Sequence, residues 1–421
     1  MKLVVTIYEE TFGAALDAIR GLNADPDAVE LRAERLGSID LQAVRNATAK
    51  PVILTHRGQV VSSQVIAEAI AAGIDFIDVE WNPELTIDAP RERIVLSHHD
   101  FESMPDVESL LAKMHAFGCA HTKLAVTPAT MEDNLRLLRL LAGALHTTVI
   151  GMGERGLYSR ILAPFRGSEL TFVAGGASAA PGQLTLDRAL QIYGGDRELP
   201  HATHVFAVAG DPAGHSLSPA IHNPLFREKE VDAAYTIASF ATFAEIAKAF
   251  EAGEIRGLSI TAPFKEEAFA YAERTGAFVR HNAREAGSVN TLVTMRDGCV
   301  VADNTDVDGF TALIGDARSA AIVGAGGTAR AALVALQRAG ANVRVFNRSR
   351  REFPHATEPL EELSRFDGDL VINTLPHGAD AELPSGVRVI ETKYSGAGGS
   401  GFDLLRAQAV RQNELFVEAI S

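Results

Sequence analysis

AAIVGAGGTARAALVALQRAGANVRVFNRSR, residues 320–350, is the stretch on which the fold of this 421-residue chain turns. A run of small apolar residues ends in GAGG, an alanine-rich amphipathic segment follows, and a second apolar run closes at Phe346. Strand, glycine turn, helix and strand in that order build a dinucleotide-binding α/β unit. Gly324, Gly326 and Gly327 permit a tight turn and let a pyrophosphate approach the helix N-terminus. Thr328 follows directly as a further candidate contact, and Ala329 stands at the last motif position, where alanine is accepted. Past the second strand come Asn347, Arg348, Ser349 and Arg350, where an acidic residue would hold an unphosphorylated ribose. Arginine pairs with a 2′-phosphate and no carboxylate repels it, so the expected cofactor is NADP(H) rather than NAD.

Working outward, DLVINTLP (369–376) reads as a strand on the nicotinamide side of a cleft, and FDLLRAQAVRQNELFVEAI (402–420) as an amphipathic helix that returns to another lobe. On the N-terminal side lie ADNTDVDGF (302–310), GSVNTL (287–292) and LSITAPFKEEAF (258–269), each just past a strand-like run. Lys265 and Asp306 make an acid/base couple: the carboxylate orients the ammonium and a substrate hydroxyl, and the ammonium exchanges a proton. Further upstream, Ser216 and Ser218 in GHSLSP are placed either to hold a carboxylate or to cap a helix, since serine before proline is also a helix start.

The polar seam DRELPHATHVFAVAGDPAGHSLSP (196–219) divides this pattern from a different one. Before it come strand candidates at 3–8, 28–32, 52–57, 76–81, 94–99, 122–126, 147–152 and 170–174, alternating with helix-like segments that often stop at glycine. Eight such units in under 200 residues point to a (β/α)8 barrel, with an open doubly wound sheet as the second choice. In a barrel the active site lies at the C-terminal strand ends. Those ends carry Glu30, Arg32, Arg57, Glu80, His98, His99, Lys123 and Met152, with Arg160 just beyond and SAAPGQ (178–183) after strand eight. So many ionisable groups at one end suit a pocket for a small anion. Lys123 sits inside the apolar strand HTKLAV, so it either snorkels out of the barrel or faces the pocket. There, desolvation and nearby arginines would favour the neutral amine that attacks a carbonyl, with a histidine moving the proton alpha to the imine. Strand parity leaves the choice between His98 and His99 open.

VELR (29–32), LTHR (54–57), DFIDVE (75–80), LSHHDF (96–101), TKLA (122–125), MGERGLYSR (152–160) and APGQ (180–183) together resemble type I 3-dehydroquinate dehydratase over residues 1–193. The resemblance implies that Lys123 forms a covalent imine with the substrate ketone and that His99 removes the C2 proton and assists hydroxyl loss. It implies that Arg160 holds the carboxylate and that Arg57, Glu30, Arg32 and Gln183 surround the ring hydroxyls. Two departures stand out: RGQVVSS puts Val61 where many members have glutamate, and Ala179, with Ser178 one step earlier, stands where serine is usual. From residue 204 onward, HSLSP, ITAPFK, GSVNTL, NTDVDGF, GAGGTARA, NRS and INTLP resemble shikimate dehydrogenase. That resemblance implies a substrate lobe at 204–307, completed by a helix at 402–421, and a Rossmann lobe at 308–401, after a linker at 194–203. Ser216 and Ser218 would take a carboxylate. Thr261, Asn290, Asp306 and Gln408 would bind ring hydroxyls, and Lys265 with Asp306 would catalyse reduction of 3-dehydroshikimate by NADPH. Here Ser259 replaces a usual asparagine, and a short SGAGGSGF leads from Tyr394 to Asp403 and Leu404.

A net charge of -15 argues against a nucleic-acid partner, and 47% hydrophobic with 22% charged residues is ordinary for a soluble globular chain. Cys119 and Cys299 lie in different halves, so no disulfide framework is expected. MKLVVTIYEE reads straight into a strand, and no run reaches membrane-spanning length. The expectation is a cytoplasmic, bifunctional enzyme, monomer or homodimer, converting 3-dehydroquinate through 3-dehydroshikimate to shikimate without a metal. The alternatives are one active half with the other a scaffold, or a dehydrogenase for quinate or another hydroxy acid.

Overall fold

The computed structural model describes residues 1–421 except 24, 59–61, 88, 196–198, 200, 350–351, 377 and 395–397. Val61, Arg350 and most of the 196–200 stretch therefore lie outside the described residues. The chain divides into two compact units, Met1–Thr203 with Thr236–Ser239, and His204–Tyr235 with Phe240–Ser421.

The first unit is built on parallel strands β1 (Lys2–Ile7), β2 (Ala28–Arg32), β3 (Val52–Thr55), β4 (Phe76–Glu80), β5 (Ile94–Asp100), β6 (His121–Val126), β7 (Thr147–Gly151) and β8 (Leu170–Ala174). Their order, β7-β6-β5-β4-β3-β2-β1-β8, is that of a near-closed barrel with its seam between β7 and β8. At the seam the Leu170 amide donates to the Thr148 hydroxyl at 2.9 Å, so a side chain takes over a ladder bond. The (β/α)8 expectation from strand–helix alternation is the fold found. Residues of β2, β3 and β6 are buried throughout, as parallel strands covered on both faces are.

Thr11, Asp40, Ser62, Asp106, Thr130 and Thr185 each accept the backbone N–H three residues on, capping six of the barrel helices. The fourth connection breaks the alternation. Among its described residues only a single 3-10 turn, Arg91–Arg93, precedes β5. Pro83 and Pro90 explain this, because each removes an amide donor and pushes the preceding residue out of the helical region.

Two further sheets follow from residue 204 on. A mixed sheet runs β10-β9-β11-β13-β14-β12, from β9 (His204–Gly210), β10 (Ala233–Ser239), β11 (Gly257–Ile260), β12 (Phe278–Val279), β13 (Thr291–Thr294) and β14 (Val300–Asp303). A parallel sheet runs β17-β16-β15-β18-β19, from β15 (Ser319–Val323), β16 (Asn342–Asn347), β17 (Thr357–Pro359), β18 (Leu370–Asn373) and β19 (Arg388–Glu391). The helix Gly327–Arg338 packs Ala329, Ala331, Ala332, Leu333 and Leu336 into the core beside Ile322, Val345 and Ile372 of this second sheet. The terminal helix Gly399–Glu418 leaves the parallel sheet and sets Phe416 against Phe206 of β9, ring centroids 4.6 Å apart. Gly257 fits beneath these two rings, since a Cβ there would lie 2.8 Å from Phe206 and 2.9 Å from Phe416. Among the described residues no helix is long and apolar enough to cross a membrane.

Candidate functional site

In the barrel, alternate residues of neighbouring strands carry the polar groups inward. Glu30, Asp78, Ser97 and Lys123 are all buried, and Lys123 is only 2% exposed. Its ammonium lies 2.5 Å from Asp78 Oδ2 and 3.5 Å from Glu30 Oε1, above the Phe172 ring at 4.3 Å. The nearest charges to the lysine are thus two carboxylates rather than the arginines expected from sequence. Glu30 is fixed in turn by the hydroxyls of Thr6 (2.7 Å) and Thr55 (2.9 Å). Burial alone would raise the Glu30 and Asp78 carboxyls. Lys123, with Arg32 at Glu30 and Arg57 at Asp78, outweighs that and holds both below the usual carboxylate range.

His99 faces the same pocket. Its Nδ1 lies 2.9 Å from Glu80 Oε2, and its backbone N–H donates to Glu80 Oε1 at 2.7 Å. Burial, with Arg57 and Lys123 nearby, lowers the imidazole to about 4 despite the Glu80 hydrogen bond, so it is a neutral base. Glu80 also accepts from Arg57. Burial opposes the Glu80 charge, but His99 and Arg57 keep its carboxyl below the ordinary value. Arg57 donates further to Asp78 at 3.3 Å and to the Ser97 hydroxyl at 3.3 Å. His98, left as the alternative by parity, packs edge-on against Trp81 at 6.1 Å. Arg160 uses its Nε–H on the Gly151 carbonyl (3.0 Å), and its Nη1 is buried with no hydrogen-bond partner among the described residues. Burial lowers this guanidinium to about 10. A buried cation of this kind is completed by an incoming anion.

All seven barrel residues selected from sequence, Glu30, Arg32, Arg57, His99, Lys123, Arg160 and Gln183, line one cavity, with Phe101, Met152 and Phe172 on its apolar side. Gln183 is locked by donating to the Thr6 hydroxyl (3.1 Å) and accepting the Ala179 amide (2.8 Å). Ala179 thus contributes a backbone donor where its side chain has no hydroxyl, while the Ser178 hydroxyl turns to the Ala180 carbonyl at 2.8 Å. In the sequence Asp78 is an acidic residue of DFIDVE with no assigned role, and Glu80 is one of many strand-end charges. Their signal was available: Asp78 and Glu80 are two apart, as are Ser97 and His99, and register pairs Glu80 with Ser97.

The second unit gathers another polar cluster. Lys265 opens the helix Lys265–Thr275 and Asp306 opens the helix Asp306–Leu313; both side chains are buried and form an ion pair. Asn290 offers its two Nδ2–H groups to three acceptors, Asp306 Oδ1 (2.9 Å), Gln408 Oε1 of the terminal helix (2.9 Å) and the Thr305 hydroxyl (3.1 Å). Its Oδ1 accepts the Thr305 amide at 2.8 Å. Lys265, Asp306, Asn290 and Gln408, four separate selections from sequence, are thereby one network. Ser216 and Ser218 form their own pair, hydroxyls 3.0 Å apart. The helix Ser218–Glu228 has no side-chain cap, though Ser216 accepts the Ser218 amide at 3.2 Å. Thr261 sets its methyl against Gly210, where a Cβ would come within 2.3 Å.

Sequence reading assigned no role to the chain of bonds that joins Tyr235 to the terminal helix. The Tyr235 hydroxyl donates to Ser259 (2.6 Å), Ser259 donates to Gln412 (2.8 Å), and Gln412 donates to Thr291 (2.9 Å). Ser259 thus keeps a hydrogen-bonding position that asparagine would otherwise occupy. The signal lay in the glutamines, since Gln408 and Gln412 are one turn apart on a single helix face.

At the glycine turn, Gly324 has φ 104°, and a Cβ there would meet the Thr374 hydroxyl at 2.6 Å. Gly326 precedes the helix Gly327–Arg338 with open space where a side chain would stand. Asn347 ends β16, its amide donating to the Ser349 carbonyl at 2.7 Å, and Arg348 and Ser349 are exposed beside it. An open backbone cradle at a helix N-terminus, with a cation past the next strand, fits a dinucleotide carrying a 2′-phosphate.

These two clusters define a class, a lysine-centred parallel barrel joined in one chain to a two-lobed dinucleotide-binding module. Residues 3–200 match the type I 3-dehydroquinase family and residues 208–292 the shikimate dehydrogenase substrate binding domain. The first match spans the barrel, and the second spans the part of the second unit that carries Ser216, Ser218, Thr261, Lys265 and Asn290. Among similar proteins, the chloroplastic bifunctional 3-dehydroquinate dehydratase/shikimate dehydrogenase of Arabidopsis thaliana is 28% identical over 370 residues, 77% of this chain and 60% of that protein. The shikimate biosynthesis protein AroDE of Chlamydia pneumoniae is 28% identical over 385 residues, covering 83% and 78%. The pentafunctional AROM polypeptide of Lachancea thermotolerans is 26% identical over 457 residues, covering 93% of this chain and 28% of its own.

Proposed function

We propose that the chain catalyses two consecutive reactions: dehydration of 3-dehydroquinate to 3-dehydroshikimate in the barrel, and NADPH-dependent reduction of 3-dehydroshikimate to shikimate in the second unit. One observation carries the reading: each unit closes a polar cluster on a buried lysine, the barrel cluster with the seven residues its resemblance selects and the second with Lys265, Asp306, Asn290 and Gln408. The modules are taken as residues 1–193, a linker at 194–203, a substrate lobe at 204–307 with the helix at 402–421, and a Rossmann lobe at 308–401.

In the barrel the Lys123 amine condenses with the C3 ketone, releasing water and forming an imine. His99, neutral and held through Nδ1 by Glu80, takes the C2 proton. The same imidazolium returns a proton to the departing C1 hydroxyl, which leaves as water, and hydrolysis of the imine frees the enone and restores Lys123. Arg160 receives the carboxylate with the Nη1 that no other described residue uses. Glu30, Arg32, Arg57 and Gln183 hold the ring hydroxyls.

In the second unit Ser216 and Ser218 bind the carboxylate, and Thr261, Asn290 and Gln408 orient the ring. NADPH, held at Gly324, Gly326, Gly327, Thr328, Asn347, Arg348 and Ser349, supplies a hydride when bound. Lys265 delivers a proton to the carbonyl oxygen while Asp306 fixes the ammonium. The barrel reading is tested by borohydride reduction in the presence of 3-dehydroquinate. A ligand adduct on the Lys123 peptide is expected, and its absence from a protein that still dehydrates the substrate would overturn the imine route.

A further inference from the structure

Thr328 was selected from sequence as part of the glycine turn, a place where a hydroxyl ordinarily serves a phosphate. Its hydroxyl has another use. Lys265 Nζ donates to Thr328 Oγ1 at 2.9 Å while also pairing with Asp306. The lysine stem is held from the same side: a Cβ on Gly327 would lie 2.7 Å from Lys265 Cβ and 3.2 Å from its Cδ. The turn that cradles the cofactor therefore also supplies a wall and an acceptor to the acid/base lysine.

An ammonium has three donors. Asp306 takes one and Thr328 a second, which leaves one for a substrate oxygen. Two fixed acceptors on different elements define the direction of the third N–H, whereas a single acceptor leaves the ammonium free to rotate about one bond. Asp306 is itself fixed by Asn290 at 2.9 Å, so the Thr328 hydroxyl is the second anchor of a group whose other anchor is rigid. We infer that Thr328 is a positioning residue for Lys265, which couples the dinucleotide turn directly to proton delivery. This rests on the oxidoreductase reading of the second unit.

Thr328→Val keeps the shape and removes the hydroxyl, and Thr328→Ser restores it. Shikimate oxidation with NADP should show kcat lowered about 10- to 100-fold in the valine variant, the loss of one hydrogen bond to a charged group. The serine variant should recover most of that rate. Circular dichroism and thermal unfolding verify that the valine variant is folded, and NADPH binding followed by nucleotide fluorescence reads its cofactor affinity separately. Unchanged kcat in Thr328→Val, with a raised KM for NADP alone, would overturn the inference and leave Thr328 as a phosphate contact. Wild-type protein that fails to oxidise shikimate would instead overturn the reading on which it rests.

Discussion

At the scale of single residues, both lysines are buried beside a carboxylate. Lys123 is sunk among carboxylates in a parallel barrel, and removing one of them leaves a buried charge short of its partner. Asp78→Asn is expected to destabilise the barrel by roughly 3–5 kcal/mol, the cost of breaking a buried ion pair from one side. Urea unfolding at pH 7 measures it, and a loss under ~1 kcal/mol would mean that Glu30 alone suffices. His99→Ala should lower dehydration by ~10²–10⁴-fold, the range for a positioned general base. Shikimate oxidation by the same preparation should be unchanged. Because burial lowers His99 to about 4, it is already neutral above that pH. The rate limb assigned to this base therefore lies near pH 4, with kcat/KM for dehydration falling as pH drops through it. A limb near the ordinary histidine value of about 6.5 would show that Glu80 holds the ring charged.

At the scale of elements, what could be read from sequence was what repeats. The period of strands and helices and the glycine turn are local, and both carry through to the elements found, whereas the cap read at Ser216 and Ser218 does not, since the helix Ser218–Glu228 has no side-chain cap. The fourth barrel connection is the exception, because alternation was extrapolated across two prolines that forbid it. Groups recognised one at a time, such as Glu80, Asp78, Tyr235 and Gln412, carried no role until strand register and the return of the terminal helix put them beside a lysine or a serine. His98 and His99 show the limit clearly, since parity separates their faces but only the neighbouring strand shows that Glu80 bonds His99 at 2.9 Å and stands 3.8 Å from His98. The glycine turn yields a test at this scale. Gly324→Ala forces a side chain at φ 104° onto the Thr374 hydroxyl. NADP affinity should fall at least ~10-fold, about 1.4 kcal/mol, with dehydration untouched. Calorimetric titration of NADP checks it, and wild-type affinity would show that the turn is not the nucleotide cradle.

At the scale of the whole molecule, each unit buries a histidine in its neutral form. His99 in the first is lowered to about 4 and His222 in the second, stacked on Tyr235 at 4.2 Å, to about 3, in both cases chiefly by burial. An unfolded histidine takes up its proton near pH 6.5, so below that pH the unfolded state binds more protons and stability falls. Between pH 7 and 5 each should cost its unit about 2 kcal/mol. His222→Gln should flatten this dependence for the second unit alone, as followed by denaturant unfolding with a probe in each unit.

The central claim is that two lysines in one chain run consecutive steps, and one coupled assay tests it most directly. Purified protein is given 3-dehydroquinate and NADPH, and NADPH loss and shikimate are followed together. Wild-type protein should consume NADPH and form shikimate in equal amounts. Lys123→Ala should do neither until 3-dehydroshikimate is added, and Lys265→Ala should stop at 3-dehydroshikimate. Shikimate formed by the Lys123→Ala variant directly from 3-dehydroquinate, or wild-type protein that consumes no NADPH with either substrate, would contradict the account.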